Sequence, residues 1–147
     1  MRDSVKTIGG IIDKSGTAMI GSVDGEGFPN MKAMLPPRKR EGISEFYFTT
    51  NTSSMRVKQY LENPKASIYF YDKRFYRGVM LKGTMEVLTD SKSKEEIWRE
   101  GDEIYYPLGV TDSDYCVLKF CFHLYCFWRN QFCIFLVLFS TWSFGYC

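Results

Sequence analysis

The chain has 147 residues and a formal net charge of +2, from 19 basic and 17 acidic side chains. That balance argues against a dedicated nucleic-acid binder, and 45% hydrophobic with 17% aromatic content argues against disorder. The length suits one domain with its own core, so residues 1–147 are read as a single domain.

The opening MRDSVKTIGG has no continuous apolar run behind its charges, so no secretory signal is visible and a cytoplasmic location is expected. Val5, Ile8, Ile11 and Ile12 recur at helical spacing and predict a short amphipathic helix. TAMIGSV (17–23) reads as a strand and DGEG (24–27) as a tight turn. NMKAML (30–35) returns as a second strand and stops at Pro36-Pro37, which cannot serve a central ladder. The basic cluster Arg38, Lys39 and Arg40 lies between proline and glycine and reads as an exposed, solvated loop. EFYFTT (45–50) is a third strand, with Phe46 and Phe48 on one face and Tyr47 on the other.

A run of small polar residues follows, and then Val57, Tyr60 and Leu61 form an apolar stripe that predicts a helix over 56–62, ended by Asn63-Pro64. ASIYFYD (66–72) is a fourth strand. GVMLKGTMEVL (78–88) alternates most cleanly, with Val79, Leu81, Gly83, Met85 and Val87 on one side, as a half-buried antiparallel strand should. SKSKEEIWRE (91–100) is a charged helix touching the core through Ile97 and Trp98, and DYCVLKF (114–120) resumes strand character. Five or six strands with short turns and few helices predict a mainly β, α+β fold: a closed or nearly closed antiparallel barrel.

Cys116, Cys121, Cys126, Cys133 and Cys147 are odd in number, lack a C-x-x-C pair and have only His123 for company. Free thiols are expected, not a metal site. Residues 121–147 form an atypical tail with one Arg, one His and no acid. Its apolar centre, CIFLVLF, falls short of the roughly 20 residues of a membrane helix. A buried strand or subunit contact is favoured over a membrane segment; an altered or truncated coding sequence is a third reading.

The polar break TTNTSSMR (49–56) carries the most chemical information. A helix N-terminus leaves about four backbone N–H groups unpaired and bears partial positive charge. Ser53 and Ser54 add hydroxyls there, while Arg56 and Lys58 place cations against the dipole. A bound phosphate would resolve that conflict. Ordinary serine capping, with solvated cations, accounts for the same residues equally well.

GFPNMKAM (27–34), FTTNTSSMR (48–56), ENPKASIYFY (62–71) and GVMLKGTMEV (78–87), in this order and spacing, resemble the pyridoxamine 5'-phosphate oxidase-like family of FMN-binding split barrels. IWREGDEIYYPLGVTDSDYCVLKF (97–120) resembles its general-stress-protein branch. The resemblance implies a split β-barrel with short flanking helices, a homodimer, and FMN at the dimer interface. It puts Lys32 where relatives usually carry an Arg near the flavin phosphate, and the backbone of Ala33, Met34 and Leu35 beside the ring. Thr49 and Thr50 would line the flavin; Ser54 and Arg56, with Ser53 beside them, match the phosphate clamp. Arg56 stands for the family's Lys, keeping the charge and adding a planar fork. Trp128 falls where many relatives carry late aromatic residues.

Two departures qualify the implied activity. Gly78 stands where pyridoxamine-phosphate oxidases carry a flavin-contacting Gln, and nothing in NQFCIFLVLFSTWSFGYC (130–147) matches their substrate-gripping Arg and Trp. FMN binding is therefore implied more firmly than oxidation of pyridoxamine phosphate. An FMN-dependent oxidoreductase with a small-molecule substrate leads, and a non-catalytic flavin carrier or sensor is the alternative; haem or a deazaflavin ranks last. No membrane or nucleic-acid partner is expected. Tyr105 and Tyr106 are read as core in preference to pocket, and His123 as a packing residue.

Overall fold

A computed structural model describes residues 4–129 and 132–134, with side chains over 5–123. The elements are α1 (Ser4–Lys14), β1 (Ala18–Val23), β2 (Pro29–Met34), β3 (Lys39–Glu41), β4 (Glu45–Asn51), α2 (Met55–Glu62), β5 (Lys65–Asp72), β6 (Arg77–Leu88), α3 (Ser91–Ile97), β7 (Tyr115–Arg129) and β8 (Phe132–Ile134). Two 3-10 turns, Asp102–Ile104 and Gly109–Thr111, lie between α3 and β7.

All strand pairings are antiparallel, in the order β2-β1-β5-β6-β7-β4-β3, with β8 against β7. The ends of this path, β2 and β3, are not paired with each other. The sheet therefore curls into a half-barrel with an open seam, not a closed barrel. Pro36 and Pro37 lie in the connection across that seam, where they can extend neither strand's ladder.

Period-two alternation fills the concave side. Phe46, Phe48, Phe70 and Phe120 are at most 1% exposed and pack with Ile20, Ile68, Leu81 and Met85. Helix α1 adds Ile8, Ile11 and Ile12 to this core, and α2 adds Val57 and Tyr60. The Tyr60 phenol donates to the Gly21 carbonyl at 3.1 Å, and burial pushes its pKa up to about 12. The β1–β2 turn is held by Asp24, whose carboxylate accepts from the Phe28 amide at 2.8 Å; Gly27 supplies the left-handed residue at φ 89°.

A second cluster joins Ile97, Tyr106, Tyr115 and Val117, with Trp98 edge-on to Tyr115 at 5.2 Å. Ile97 and Trp98 are thus the contacts of α3, as the pattern predicts. Lys94 is also buried, its amine donating to the Asp112 carbonyl at 2.7 Å. The β6–β7 register shifts between Lys82 and Gly83, and a Cβ on Gly83 would overlap the Cys121 backbone.

Two expectations need correction. The basic cluster is not a free loop: Lys39–Glu41 forms β3 against β4. Its charges are bound to distant acids, Arg38 to Asp102 (2.6 Å), Lys39 to Glu96 (2.6 Å) and Arg40 to Asp13 (2.8 Å). His123 is exposed, with Nε2 3.4 Å from the Thr84 hydroxyl. Cys116 and Cys121 are buried and form no disulfide among the described residues; the side chains of Cys126, Cys133 and Cys147 lie outside the described residues. So does the single-domain and tail reading wherever it concerns 135–147. Among the described residues no helix is long and apolar enough to cross a membrane.

Candidate functional site

The open seam has two free backbone edges. Strand β2 is bonded on one side only, to β1. Strand β4 is bonded to β7 along its whole length, but β3 covers only Glu45–Tyr47, so Phe48–Asn51 have no strand partner on that side. Unpaired N–H and C=O groups at such edges need other partners, either water or a ligand.

A cavity of about 230 Å³ lies between these edges. Lys32, Ala33, Met34 and Leu35 form one wall, Phe48, Thr49, Thr50 and Asn51 the other, and Arg38, Tyr105 and Tyr106 close the end. Phe48 also belongs to the core, so the cavity floor is rigid, whereas Leu35 at 66% exposure sits at the rim. Tyr106 is buried and packs against Tyr115 with ring centroids 4.7 Å apart. Burial pushes its phenol up to about 12, so it stays protonated through the neutral range. None of the lining side chains is a carboxylate, imidazole or thiol.

Beyond Asn51 the chain turns into α2. Ser54 is the N-cap: its hydroxyl accepts from the Val57 amide at 3.4 Å. The turn before it is bracketed by Asp114, whose carboxylate accepts from Asn51 Nδ2 at 2.8 Å and from the Ser53 amide at 2.7 Å. The Asn51 amide side chain, and then Ser53, hold the Asp114 carboxyl below its ordinary value. Lys58 reaches Glu62 at 4.0 Å. Arg56 makes no ion pair among the described residues, and its Nε is buried without a hydrogen-bond partner, an arrangement that calls for an explanation.

The sequence-derived residues thus fall into two groups. Lys32, Ala33, Met34, Leu35, Thr49 and Thr50 come together around one cavity; Ser53, Ser54 and Arg56 lie past its end and do not line it. Trp128 pairs with Gly78 across β6 and β7, and its side chain lies outside the described residues. Gly78 itself sits under the Tyr69 ring, which a Cβ would overlap, so a Gln there would displace that ring. The residues not anticipated are Arg38, Asn51 and Tyr105. Tyr105 is 65% exposed, so it is a cavity residue and not core. A hint was available: Asn51 falls inside the polar break, and Arg38 inside the basic cluster.

A sequence model described as pyridoxamine 5'-phosphate oxidase matches residues 5–128. Among curated proteins, the pyridoxine/pyridoxamine 5'-phosphate oxidase of Caulobacter vibrioides is 31% identical over 74 residues, covering 50% of this chain and 32% of that one. The enzyme of the same name from Chelativorans sp. is 34% identical over 83 residues, 55% of this chain and 37% of its own. The chain therefore spans about a third of the length of these curated relatives. Among solved structures, a Clostridium acetobutylicum protein related to general stress protein 26 is 36% identical, with a TM-score of 0.82 over 91% of this chain and 94% of that one. General stress protein 26 of Bacillus anthracis shares the fold at 18% identity, with a TM-score of 0.71 over 90% and 98%. The seam between two free strand edges, the match across most of the chain and the solved split-barrel relatives agree: the chain belongs to the pyridoxamine 5'-phosphate oxidase family.

Proposed function

We propose that the protein binds FMN in the seam and acts as a flavin-dependent oxidoreductase on a small molecule. The observation that carries this reading is the continuity of the two groups of residues. The cavity wall Thr49–Asn51 runs within five residues to Arg56, whose buried Nε has no partner. A flat ring in the cavity would leave its chain and phosphate to extend past Asn51 toward that cation.

In this reading the free backbone of Lys32–Met34 and the hydroxyls of Thr49 and Thr50 hydrogen-bond the polar edge of the ring. Arg56 and the first turn of α2 hold the phosphate, where the helix dipole adds to the charge. Lys32, on the exposed wall, screens the anion. The role of Ser54 is narrower than a direct clamp, since its hydroxyl caps Val57; it shapes the helix start that the phosphate meets. FMN, once bound, would supply the redox chemistry, so the chain need provide only binding, orientation and exclusion of water.

A cavity of about 230 Å³ lies below the 300–1,000 Å³ typical of ligand pockets. We infer that a second copy completes it. The outer face of β1, β2, β5 and β6 carries an apolar groove of about 560 Å³ with Met31 60% exposed at its edge. Apolar patches of this kind mark contact surfaces, and a homodimer through this face would leave the flavin at the interface.

The carrier or sensor alternative draws on the sequence of 130–147, which has no match to the Arg and Trp motif that grips substrate in pyridoxamine-phosphate oxidases. Purified protein is expected to be yellow and to release FMN, identified by mass, on denaturation. Colourless protein that takes up no added FMN overturns the reading. Turnover with NAD(P)H or pyridoxamine phosphate supports the enzyme; bound flavin without turnover on either supports the carrier.

A further inference from the structure

Adjacent tyrosines at the cavity end differ in a way that neither the family nor the core explains. Tyr106 is locked: buried and packed against both Tyr115 and Trp98. Tyr105 lines the same cavity, yet its ring is 65% exposed and its phenol makes no hydrogen bond among the described residues. A large exposed aromatic ring is ordinarily free to swing, but here the backbone beneath it is fixed. The amides of Tyr105 and Tyr106 both donate to the Asp102 carbonyl at 2.9 Å. Asp102 is buried, and its carboxylate accepts from Arg38 Nη2 at 2.6 Å and from the Arg99 amide at 3.0 Å. Arg99 in turn donates from its guanidinium to the Arg38 carbonyl. Arg38 thus ties the seam connection after β2 to the segment that carries Tyr105.

We propose that Tyr105 is a specificity-determining residue that stacks on the planar ring of the cavity's ligand, and that Arg38 and Asp102 are the residues that position it. The Tyr105 ring leans on Tyr106, with centroids 6.5 Å apart, and is otherwise exposed; a ring on a pre-set backbone binds a flat heterocycle without a large ordering cost, and aromatic pairs of this kind favour offset or edge contact. This inference rests on the flavin reading above and adds to it a ring contact from a segment outside the phosphate-binding motif. Asp102 does not line the cavity and acts through Tyr105, whereas Arg38 lines the cavity as well as holding Asp102.

The test is a titration of the full-length protein with FMN, together with the fluorescence of the bound flavin at saturating protein. Tyr105→Ala is expected to weaken FMN binding by roughly fivefold, the scale of one aromatic contact. It should also brighten the bound flavin, because a phenol ring against isoalloxazine quenches it. Tyr105→Phe should restore most of the affinity. Asp102→Asn, at a residue outside the cavity lining, should move affinity and brightness in the same direction as Tyr105→Ala, and combining the two should add little. Tyr105 is exposed, so its variants should fold as wild type does, which a thermal melt checks; this keeps the proposal open to refutation even if the buried-pair variant is unstable. Wild-type affinity and brightness in Tyr105→Ala overturn the inference while leaving the flavin reading intact. Wild-type protein that takes up no FMN removes both.

Discussion

The cavity in the seam and the start of α2 are neighbours in sequence but differ in construction. The cavity is built on strand edges and a core floor: Phe48 is 1% exposed, and Tyr106 is wedged into an aromatic stack. The helix start is built from polar contacts at the surface, with Ser54 capping Val57 and Asp114 bracketing Asn51 and Ser53. A rigid floor with polar groups along its walls suits a flat heterocyclic ring, and an adaptable polar turn suits an anion. A ligand with a ring at one end and a phosphate at the other needs both, which is why a single motif-based site divides here into two physical environments.

The most damaging change to the first region is Phe48→Ala. Removing a buried aromatic ring costs about 3–5 kcal/mol and takes the cavity floor with it. Urea unfolding should show the midpoint falling accordingly, and FMN uptake should be lost. Next is Arg56→Ala, which leaves the cavity whole and removes a cation that makes no ion pair among the described residues. FMN affinity should fall about tenfold, the scale of a charged hydrogen bond, while riboflavin, which lacks the phosphate, should bind unchanged. Equal loss for both ligands would erase the distinction between the regions.

Smaller still is Ser54→Ala, the loss of an N-cap, at about 1 kcal/mol of stability in a thermal melt. If Ser54 were instead a principal phosphate ligand, its effect on FMN affinity would rival that of Arg56→Ala. The smallest expected effect concerns Asp114, whose folded-state pKa is depressed below 3.8 by Asn51 and Ser53. A depressed carboxyl contributes stability that is fully present above its unfolded pKa and is lost as pH falls through the folded one. Asp114→Ala should therefore be less stable than wild type at neutral pH, with the gap closing as pH drops below 3.8. Melts across pH 2–7 check this, and a gap that does not change with pH contradicts the bracket.

Local pattern made much of the fold legible. Period-two alternation marked β4, β5 and β6, and the three-four stripe marked α1 and α2, although Val5 and Leu61, read as part of those stripes, are 42% and 71% exposed. The strand β3 was not legible. Read locally, Arg38–Lys39–Arg40 between proline and glycine is a solvated loop; the acids that hold it, Asp13, Glu96 and Asp102, lie 27 to 64 positions away. Local pattern alone left the barrel closed or nearly closed; the split barrel was expected through the family resemblance, since strand order depends on non-local pairing. At the site, the contiguous stretches Lys32–Leu35 and Thr49–Thr50 were found from the sequence. Tyr105 was not, because two adjacent tyrosines before a proline look alike until the Asp102 contacts turn one ring inward and leave the other exposed.

The central claim, a flavin ring in the seam with its phosphate at Arg56, is tested most directly by comparing FMN and riboflavin titrations of wild type and Arg56→Ala. The account predicts that wild type binds FMN more tightly than riboflavin, and that the substitution removes this preference while riboflavin affinity stays the same. Wild-type protein that binds neither, or that binds both alike, contradicts it.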